Sequence, residues 1–226
     1  MLYRGRKYVA LTLDQKALKR DYKLEQQLAS NLTPSVSNVL SVIDADPKMR
    51  RQFTRIEDRG NSAFNQAVED LRTEGAITEK AMFAQDEATW VLIRKREREV
   101  AERILIDTLY GPAVARLARI DGDDAWRAVR LPFNSDPTRH ARLGTAWSLY
   151  RAGAVTYFAG KRPGDDVRYR ARVDTDYVDK AQTVARYVLW GGDEDEIVLL
   201  AGAPIHVYDV ELEDGTIIEI NDWRRT

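Results

Sequence analysis

The stretch Val167-Arg168-Tyr169-Arg170-Ala171-Arg172-Val173 decides the fold of the second half of the chain. Arginines alternate here with apolar residues, and a period of two is typical of a strand with one polar face and one buried face. Asp214-Gly215 lies between two further segments of strand character and predicts a β-hairpin. The other predicted strands cover 155–158, 197–200, 205–212 and 216–220.

The first half of the chain contains the start and stop signals of successive helices. Residues that cap helices recur ahead of apolar stripes with helical spacing. They are Asp14, Thr33-Pro34, Asp46-Pro47, Asn61 or Ser62, and Thr78. The longest predicted helix covers 79–110 and is stopped by Gly111-Pro112. Further helices are predicted over 113–120, 124–131, 138–151 and 176–190. The predicted core includes Phe53, Leu71, Trp90, Val100 and Ile104.

These patterns predict an α+β fold. An N-terminal helical body is followed by a mixed α/β part with a short antiparallel sheet and a C-terminal β-hairpin. A turn-rich link with two prolines, 132–137, separates the two parts. The predicted domains are therefore a helical domain, 1–131, and an α/β domain, 138–226.

Composition excludes many kinds of site. The 226 residues contain no cysteine, which excludes disulfides, thiolate metal sites and cysteine nucleophiles. Only His140 and His206 are present, so a metal site with several histidines is excluded as well. The chain has no glycine-rich phosphate loop and no apolar run near the ~18 residues of a membrane span. Its start lacks the apolar region of a signal peptide. We therefore expect no metal, no cofactor and no membrane partner.

Charge is sorted along the chain, although the net charge is −1. Residues 126–172 carry ten Lys or Arg against three Asp, whereas 173–222 carry two Lys or Arg against thirteen Asp or Glu. Opposed patches suit head-to-tail contacts between identical copies, which can close into rings. Alternatively, the two segments neutralise each other within one domain. The predicted interface residues are Arg168, Arg170, Arg172, Asp193, Glu194, Asp195 and Glu196.

The arginines of 168–172 are also the best candidates for contact with nucleic acid. No interleaved aromatic platform accompanies them, and a strongly acidic segment follows. Pairing with carboxylates of this chain or of a neighbouring copy is therefore favoured over a nucleic-acid ligand. The acidic run 193–196 lacks the ligand spacing of a Ca²⁺ or Mg²⁺ loop, so it is predicted to be a solvated turn or an interface patch.

Two segments resemble the small neck or tail-completion proteins of tailed bacteriophages. They are Gly144-Thr145-Ala146-Trp147-Ser148 and Ala185-Arg186-Tyr187-Val188-Leu189-Trp190-Gly191. The resemblance implies a non-enzymatic virion protein, assembled in the host cytoplasm, that forms a homo-oligomeric ring at the head–tail connection. Its partners would be further copies of itself and other virion proteins. This hypothesis is favoured because it agrees with the opposed charges and with the missing catalytic set.

Three other segments resemble mono-ADP-ribosyltransferases, a family of enzymes. They are Leu149-Tyr150-Arg151-Ala152-Gly153, Val173-Asp174-Thr175-Asp176 and 194–202, which begins Glu194-Asp195-Glu196. The resemblance implies that Arg151 holds the phosphates of NAD and that Glu196 stabilises an oxocarbenium-like transition state. Asp174 and Asp176 stand where that family has serines. The alternative hypothesis is therefore an enzyme with Arg151, Glu194 and Glu196 as its catalytic residues.

Overall fold

The computed structural model describes residues 11–12, 33–58, 61–139, 143–154, 164–191 and 195–220. The helix predicted after Asp14, the strand predicted at 155–158, and the residues His140, Asp193 and Glu194 lie outside this part of the chain.

The helices, in chain order, are α1 (Val36–Ala45), α2 (Pro47–Thr54), α3 (Ala63–Thr73), α4 (Glu79–Phe83), α5 (Glu87–Ile104), α6 (Gly111–Leu117) and α7 (Lys180–Trp190). The strands are β1 (Leu11–Thr12), β2 (Glu57–Asp58), β3 (Asn61–Ser62), β4 (Asp124–Leu131), β5 (Ala146–Ser148), β6 (Asp165–Arg172), β7 (Glu196–Val198), β8 (Pro204–Ile205), β9 (Val207–Glu211) and β10 (Ile217–Glu219).

Contacts between Cα atoms divide the chain into two compact units. Among the described residues, a helical unit comprises those of 34–116 and 184–191, and a sheet unit comprises those of 1–33, 117–183 and 192–226. The predicted α+β class is confirmed, because helices accompany one antiparallel six-stranded sheet that ends in the C-terminal hairpin. In the described part of the chain, no helix is long and apolar enough to cross a membrane.

Side-chain caps start the helices of the helical unit. Asp46 Oδ1 accepts the backbone N–H of Lys48 at 2.7 Å, and Pro47 occupies the first helical turn of α2, as predicted. Thr78 caps α4 as predicted, through the N–H of Ala81. The cap of α1 is Ser35 instead of the predicted Thr33.

The single long helix predicted over 79–110 is wrong. It is interrupted after α4, where Gln85 adopts a φ of 54°, and Asp86 then caps α5 through the N–H of Thr89. It is also not stopped by Gly111-Pro112. A π-helical segment, Leu105–Tyr110, leads directly into α6, and Pro112 is tolerated in the first turn of that helix.

The core of the helical unit contains most of the predicted residues. Phe53, Leu71 and Val100 are buried, whereas Trp90 and Ile104 are only partly buried. The ring of Trp90 stacks on Phe64 with centroids 6.2 Å apart.

The six-stranded sheet has the order β10-β9-β6-β4-β5-β7, and every neighbouring pair is antiparallel. Its longest ladder joins β4 to β6 over eight residue pairs, from Asp124↔Arg172 to Leu131↔Asp165. The alternation predicted for 167–173 is confirmed, since Val167, Tyr169 and Ala171 are buried on one face. This face is the core of the sheet unit.

Two helices predicted for the sheet unit are wrong. Residues 124–131 form β4, because pairing with β6 along the full strand outweighs local helix propensity. Residues 138–151 are not a helix where they are described. They include the end of one 3₁₀ turn, Pro137–Arg139, the strand β5 and the start of a second 3₁₀ turn, Arg151–Gly153. The predicted hairpin is confirmed as β9 and β10.

Candidate functional site

The face of the sheet opposite the core carries polar side chains from five strands, and we call it the polar face. Residues directly paired across antiparallel strands point to the same side, so the ladder defines its members. One row across the sheet is Asp209–Arg170–Trp126–Ser148–Glu196. The neighbouring pairs Asp124–Arg172 and Arg168–Glu211 belong to the same face.

Arg170 is the centre of this face. Its guanidinium donates to Asp124 Oδ2 from Nη2 at 2.6 Å and from Nε at 3.1 Å, and its Nη1 lies 3.4 Å from Asp209 Oδ2. It also lies over the rings of Tyr208, at 4.9 Å, and Trp126, at 5.8 Å. Both aspartates and both rings therefore stabilise a single cation.

A β-bulge places Tyr208 in this cluster. Arg170 pairs with Asp209, but the next residue, Ala171, pairs with Val207, so Tyr208 is an extra residue in β9. Without the bulge, Tyr208 and Asp209 would point to opposite faces. With it, the Tyr208 hydroxyl donates to Asp124 Oδ1 at 2.5 Å while Asp209 still faces Arg170.

The two aspartates have opposite electrostatic surroundings. Burial opposes ionisation of Asp124, but hydrogen bonds from Tyr208 and Arg170 outweigh it and lower the pKa of that carboxyl. Burial raises the pKa of Asp209, which is reinforced by the charges of Asp124 and Glu211 and only partly offset by Arg170. Burial and the bond to Asp124 also raise the pKa of Tyr208.

A second ion-pair group lies beside this cluster. The Arg151 Nε donates to Glu211 Oε2 at 2.8 Å, and its Nη2 donates to Glu211 Oε1. Arg168 Nη1 lies 3.7 Å from the same Oε1, and Arg168 Nε donates to the carbonyl of Ala154 at 3.2 Å. The turn that follows β5 therefore places the Arg151 side chain over the polar face.

The structure places the other predicted interface residues as follows. Arg172 is exposed, and its Nη1 donates to the carbonyl of Gly122 at 3.3 Å. Asp195 has a φ of 46°, and its carbonyl accepts the N–H of Leu149. Glu196 is the first residue of β7. The ion pairs of Arg168 and Arg170 are made within one chain, as the intradomain alternative predicts. A contact between copies stays a prediction.

Strand pairing brings the residues of the enzyme hypothesis to one end of the sheet. Ser148, the last residue of β5, is paired with Glu196, and Arg151 follows three residues later. The strands β5 and β6 are both antiparallel to β4, so both end here. Asp174 follows β6 and accepts the N–H of Asp176 at 3.0 Å.

A cavity of about 290 Å³ lies elsewhere in the sheet unit, at the opposite end of β4 and β6. Leu131, Asp165, Val167 and Ile218 are among its lining residues, and none of the predicted site residues lines it. Among the described residues, no group of three or more His, Asp or Glu side chains is arranged to hold a metal ion.

Sequence reasoning missed six of the residues named on the polar face: Asp124, Trp126, Tyr208, Asp209, Glu211 and Ser148. The first two were assigned to a helix, although acidic, aromatic and basic residues alternate with Ala125, Val129 and Leu131 in that segment.

No protein-family model, no curated protein and no solved structure matches this chain.

Proposed function

We propose that this chain is an enzyme of the mono-ADP-ribosyltransferase type that uses NAD as its substrate. The observation that carries the proposal is the pairing of β5 with β7, which sets Glu196 opposite Ser148 and leads the chain directly to Arg151. The resemblance implies catalytic roles for both residues, which are 45 positions apart in the sequence. Glu196 belongs to the face of the sheet over which the Arg151 side chain lies, and a substrate shared by the two residues requires this arrangement.

The charge distribution agrees with a phosphate-bearing substrate. Arg151 and Arg168 converge at Glu211, and a guanidinium fork suits phosphate as well as carboxylate. The Arg151 side chain is 62% exposed, so a ligand can reach it from solvent. The Arg151 guanidinium is held at Glu211 on β9, four strand spacings or about 19 Å from β7, so Arg151 must leave Glu211 and turn toward Glu196 to act on the same NAD molecule.

The proposed reaction breaks the glycosidic bond between nicotinamide and the ribose of NAD. Nicotinamide leaves with the bonding electrons, and a nucleophile of an acceptor, or water, forms the new bond to the ribose carbon and loses its proton. Arg151 holds the diphosphate. The carboxylate of Glu196 stabilises the positive charge that develops on the ribose, a role for which a preorganised charge is effective.

Nicotinamide release from NAD tests this proposal. We expect turnover by the wild type and a loss of about 100-fold or more in kcat for Glu196→Gln. Glu213→Gln is the matched control, because it removes the same charge from an exposed position in the β9–β10 turn. The proposal is wrong if the wild type releases no nicotinamide with water or with acceptor proteins, or if Glu196→Gln and Glu213→Gln behave alike.

A second candidate is a structural role in a virion, as a ring-forming protein of a head–tail connection that contacts other virion proteins. Large apolar side chains on the helical unit favour it, since Phe83 is 87% exposed, Val91 59% and Ile106 54%. Analytical ultracentrifugation of the wild type and Phe83→Ser tests this role. A concentration-dependent oligomer that the substitution weakens supports it, and a monomer at high concentration argues against it.

A further inference from the structure

The cavity at the far end of β4 and β6 combines an apolar floor with negative charge. Leu131, Val167 and Ile218 point to the core face of the sheet and form this floor. Asp165 is paired with Leu131, so its carboxylate lies on the same side, where β4 ends and β6 begins. Among the described residues, those that line the cavity include further acidic side chains but no Lys, Arg or His.

Hydrogen bonds hold two walls of the cavity in place. The hydroxyl of the buried Tyr169 donates to the carbonyl of Pro137 at 2.7 Å, which fixes the link after β4 to the core face. On the other side, Asp214 Oδ1 accepts the N–H of Thr216 at 2.8 Å in the turn between β9 and β10. The carbonyl of Thr216 accepts the N–H of Leu212, another lining residue, at 2.8 Å. The walls are therefore formed without a ligand, which reduces the entropy lost on binding.

Two neighbouring aspartates of β6 differ in their partners. Asp166 belongs to the polar face, where its Oδ1 lies 3.3 Å from Arg130 Nε. Asp165 points to the cavity, and in the described part of the chain its side chain makes no hydrogen bond and no ion pair. A cation that enters the cavity therefore meets a carboxylate that no described residue neutralises.

The lining residues select among positively charged ligands. A divalent metal ion is disfavoured, because no group of three or more His, Asp or Glu side chains in the described ranges is arranged to hold one. A quaternary ammonium is disfavoured as well, because no described aromatic side chain lines the cavity and aromatic faces are its usual partners. A primary ammonium group donates three hydrogen bonds, which the carboxylate of Asp165 and the hydroxyl of Ser135 can accept.

The volume limits the size of the ligand. The cavity has a volume of about 290 Å³, which is the space of about ten water molecules at roughly 30 Å³ each. This is at the lower limit of small-molecule pockets and is too small for a dinucleotide. Leu131 is five residues along β4 from Trp126, the partner of Ser148, so about 17 Å of strand separate the cavity from that pair.

We infer that this cavity binds a small organic amine, whose ammonium group pairs with Asp165 and whose alkyl chain lies on Leu131, Val167 and Ile218. Each methylene group that the floor covers increases affinity by about fourfold. The ion pair at the exposed carboxylate contributes less and sets the preference for a cation. The inference is independent of the proposed function, since neither Arg151 nor Glu196 lines the cavity.

Isothermal titration of hexylamine into the wild-type chain tests the site. We expect saturable binding that is at least about 10-fold tighter than that of hexanoic acid, which has an alkyl chain of similar length and the opposite charge. Asp165→Asn should weaken hexylamine binding by about threefold to fivefold. Asp107→Asn is the matched control, because it removes the same charge from an exposed position of the helical unit. It should bind hexylamine like the wild type.

A second variant separates the floor from the charge. Ile218→Ala should weaken the binding of hexylamine and of neutral hexanol alike, by about threefold or more, whereas Asp165→Asn should weaken only that of the amine. The inference is overturned if hexylamine binds no tighter than hexanoic acid, or if Asp165→Asn and Asp107→Asn bind it equally. Binding of Nα-acetyl-lysine amide as tight as that of hexylamine assigns the cavity to a lysine side chain of a partner protein and also overturns it.

Discussion

Two pairs of arginines with the same spacing in the sequence form different arrangements of ion pairs in the two units. Arg96 and Arg98 lie two residues apart on α5, where that spacing turns side chains about 200° from each other. Arg96 pairs with Glu74, and Arg98 pairs with Asp44 and Glu102. Arg168 and Arg170 have the same spacing on β6, where both side chains point to one face.

The difference is one of coupling rather than of the number of contacts. Arg98 has its own aromatic partner, the ring of Phe53 at 4.6 Å, just as Arg170 has Tyr208. On α5, Arg96 pairs with Glu74 and Glu99, whereas Arg98 pairs with the different carboxylates of Asp44 and Glu102. On the polar face, Asp209 and Glu211 lie two residues apart on the same strand. The charge of Glu211 therefore affects the pKa of Asp209, as that of Arg170 does. Secondary structure therefore decides whether a run of charges becomes a network.

The largest expected effect comes from removing one carboxylate of the network. Asp124→Ala leaves Arg170 and the Tyr208 hydroxyl without their common acceptor, and we expect a loss of about 2–3 kcal/mol in the free energy of unfolding. Asp44→Ala is the matched change in the helical unit. It should cost less than about 1 kcal/mol, because its carboxylate is half exposed. Urea denaturation of both variants measures the difference, and equal losses would contradict the comparison.

The pH dependence of stability should have opposite signs for the two aspartates. The pKa of Asp124 is below its ordinary value of 3.8, so its contribution is complete above that pH and is lost as the pH falls through the folded-state pKa. The pKa of Asp209 is above 3.8, so stability falls as the pH rises from 3.8 through the folded-state value.

Asn variants of both residues measure these signs. From about pH 7 to about pH 3, the deficit of Asp124→Asn relative to wild type should shrink. Over the same range, Asp209→Asn should become less stable relative to wild type. Thermal denaturation across the range gives both trends, and parallel trends would show that the two carboxyls are not distinguished by Tyr208.

Double-mutant cycles should show coupling on the strand and none on the helix. Arg168→Ala and Arg170→Ala should be non-additive by about 0.5 kcal/mol or more, because the charge of Glu211, the partner of Arg168, also acts on Asp209, the partner of Arg170. Arg96→Ala and Arg98→Ala should be additive, since they serve separate carboxylates. Additivity on the strand would mean that the polar face is a set of independent pairs.

The smallest effect is expected at Arg172. Its side chain is exposed and its one hydrogen-bond partner in the described chain is the carbonyl of Gly122 at 3.3 Å. Arg172→Gln should therefore change the free energy of unfolding by no more than about 0.5 kcal/mol. A larger loss would extend the network to the end of β6.

The sequence predicted the parts of this fold that depend on neighbours along the chain. The caps Asp46 and Thr78 and the turn Asp214-Gly215 act within a few residues, and each was placed correctly. The strand β4 was missed because its stability depends on pairing with β6, some forty residues later. Local propensity carries no information about such a partner.

The residues of the candidate site can be divided in the same way, into those that a local sequence pattern predicts and those that depend on strand pairing. Arg151 and Glu196 were found because short motifs around them resemble a known family. Tyr208, Asp209 and Glu211 were missed because their direction depends on the register of β9 and on a single bulged residue. Neither the register nor the bulge leaves a pattern that can be distinguished in 205–212 alone.

The central claim is that Arg151 and Glu196 act on the same NAD molecule in different ways. The direct measurement is NAD affinity and nicotinamide release, determined separately for the wild type, Arg151→Ala and Glu196→Gln. We predict that Arg151→Ala weakens NAD binding, whereas Glu196→Gln binds NAD like the wild type but loses turnover. A wild type that neither binds nor cleaves NAD, or two variants that leave both quantities unchanged, would contradict the claim.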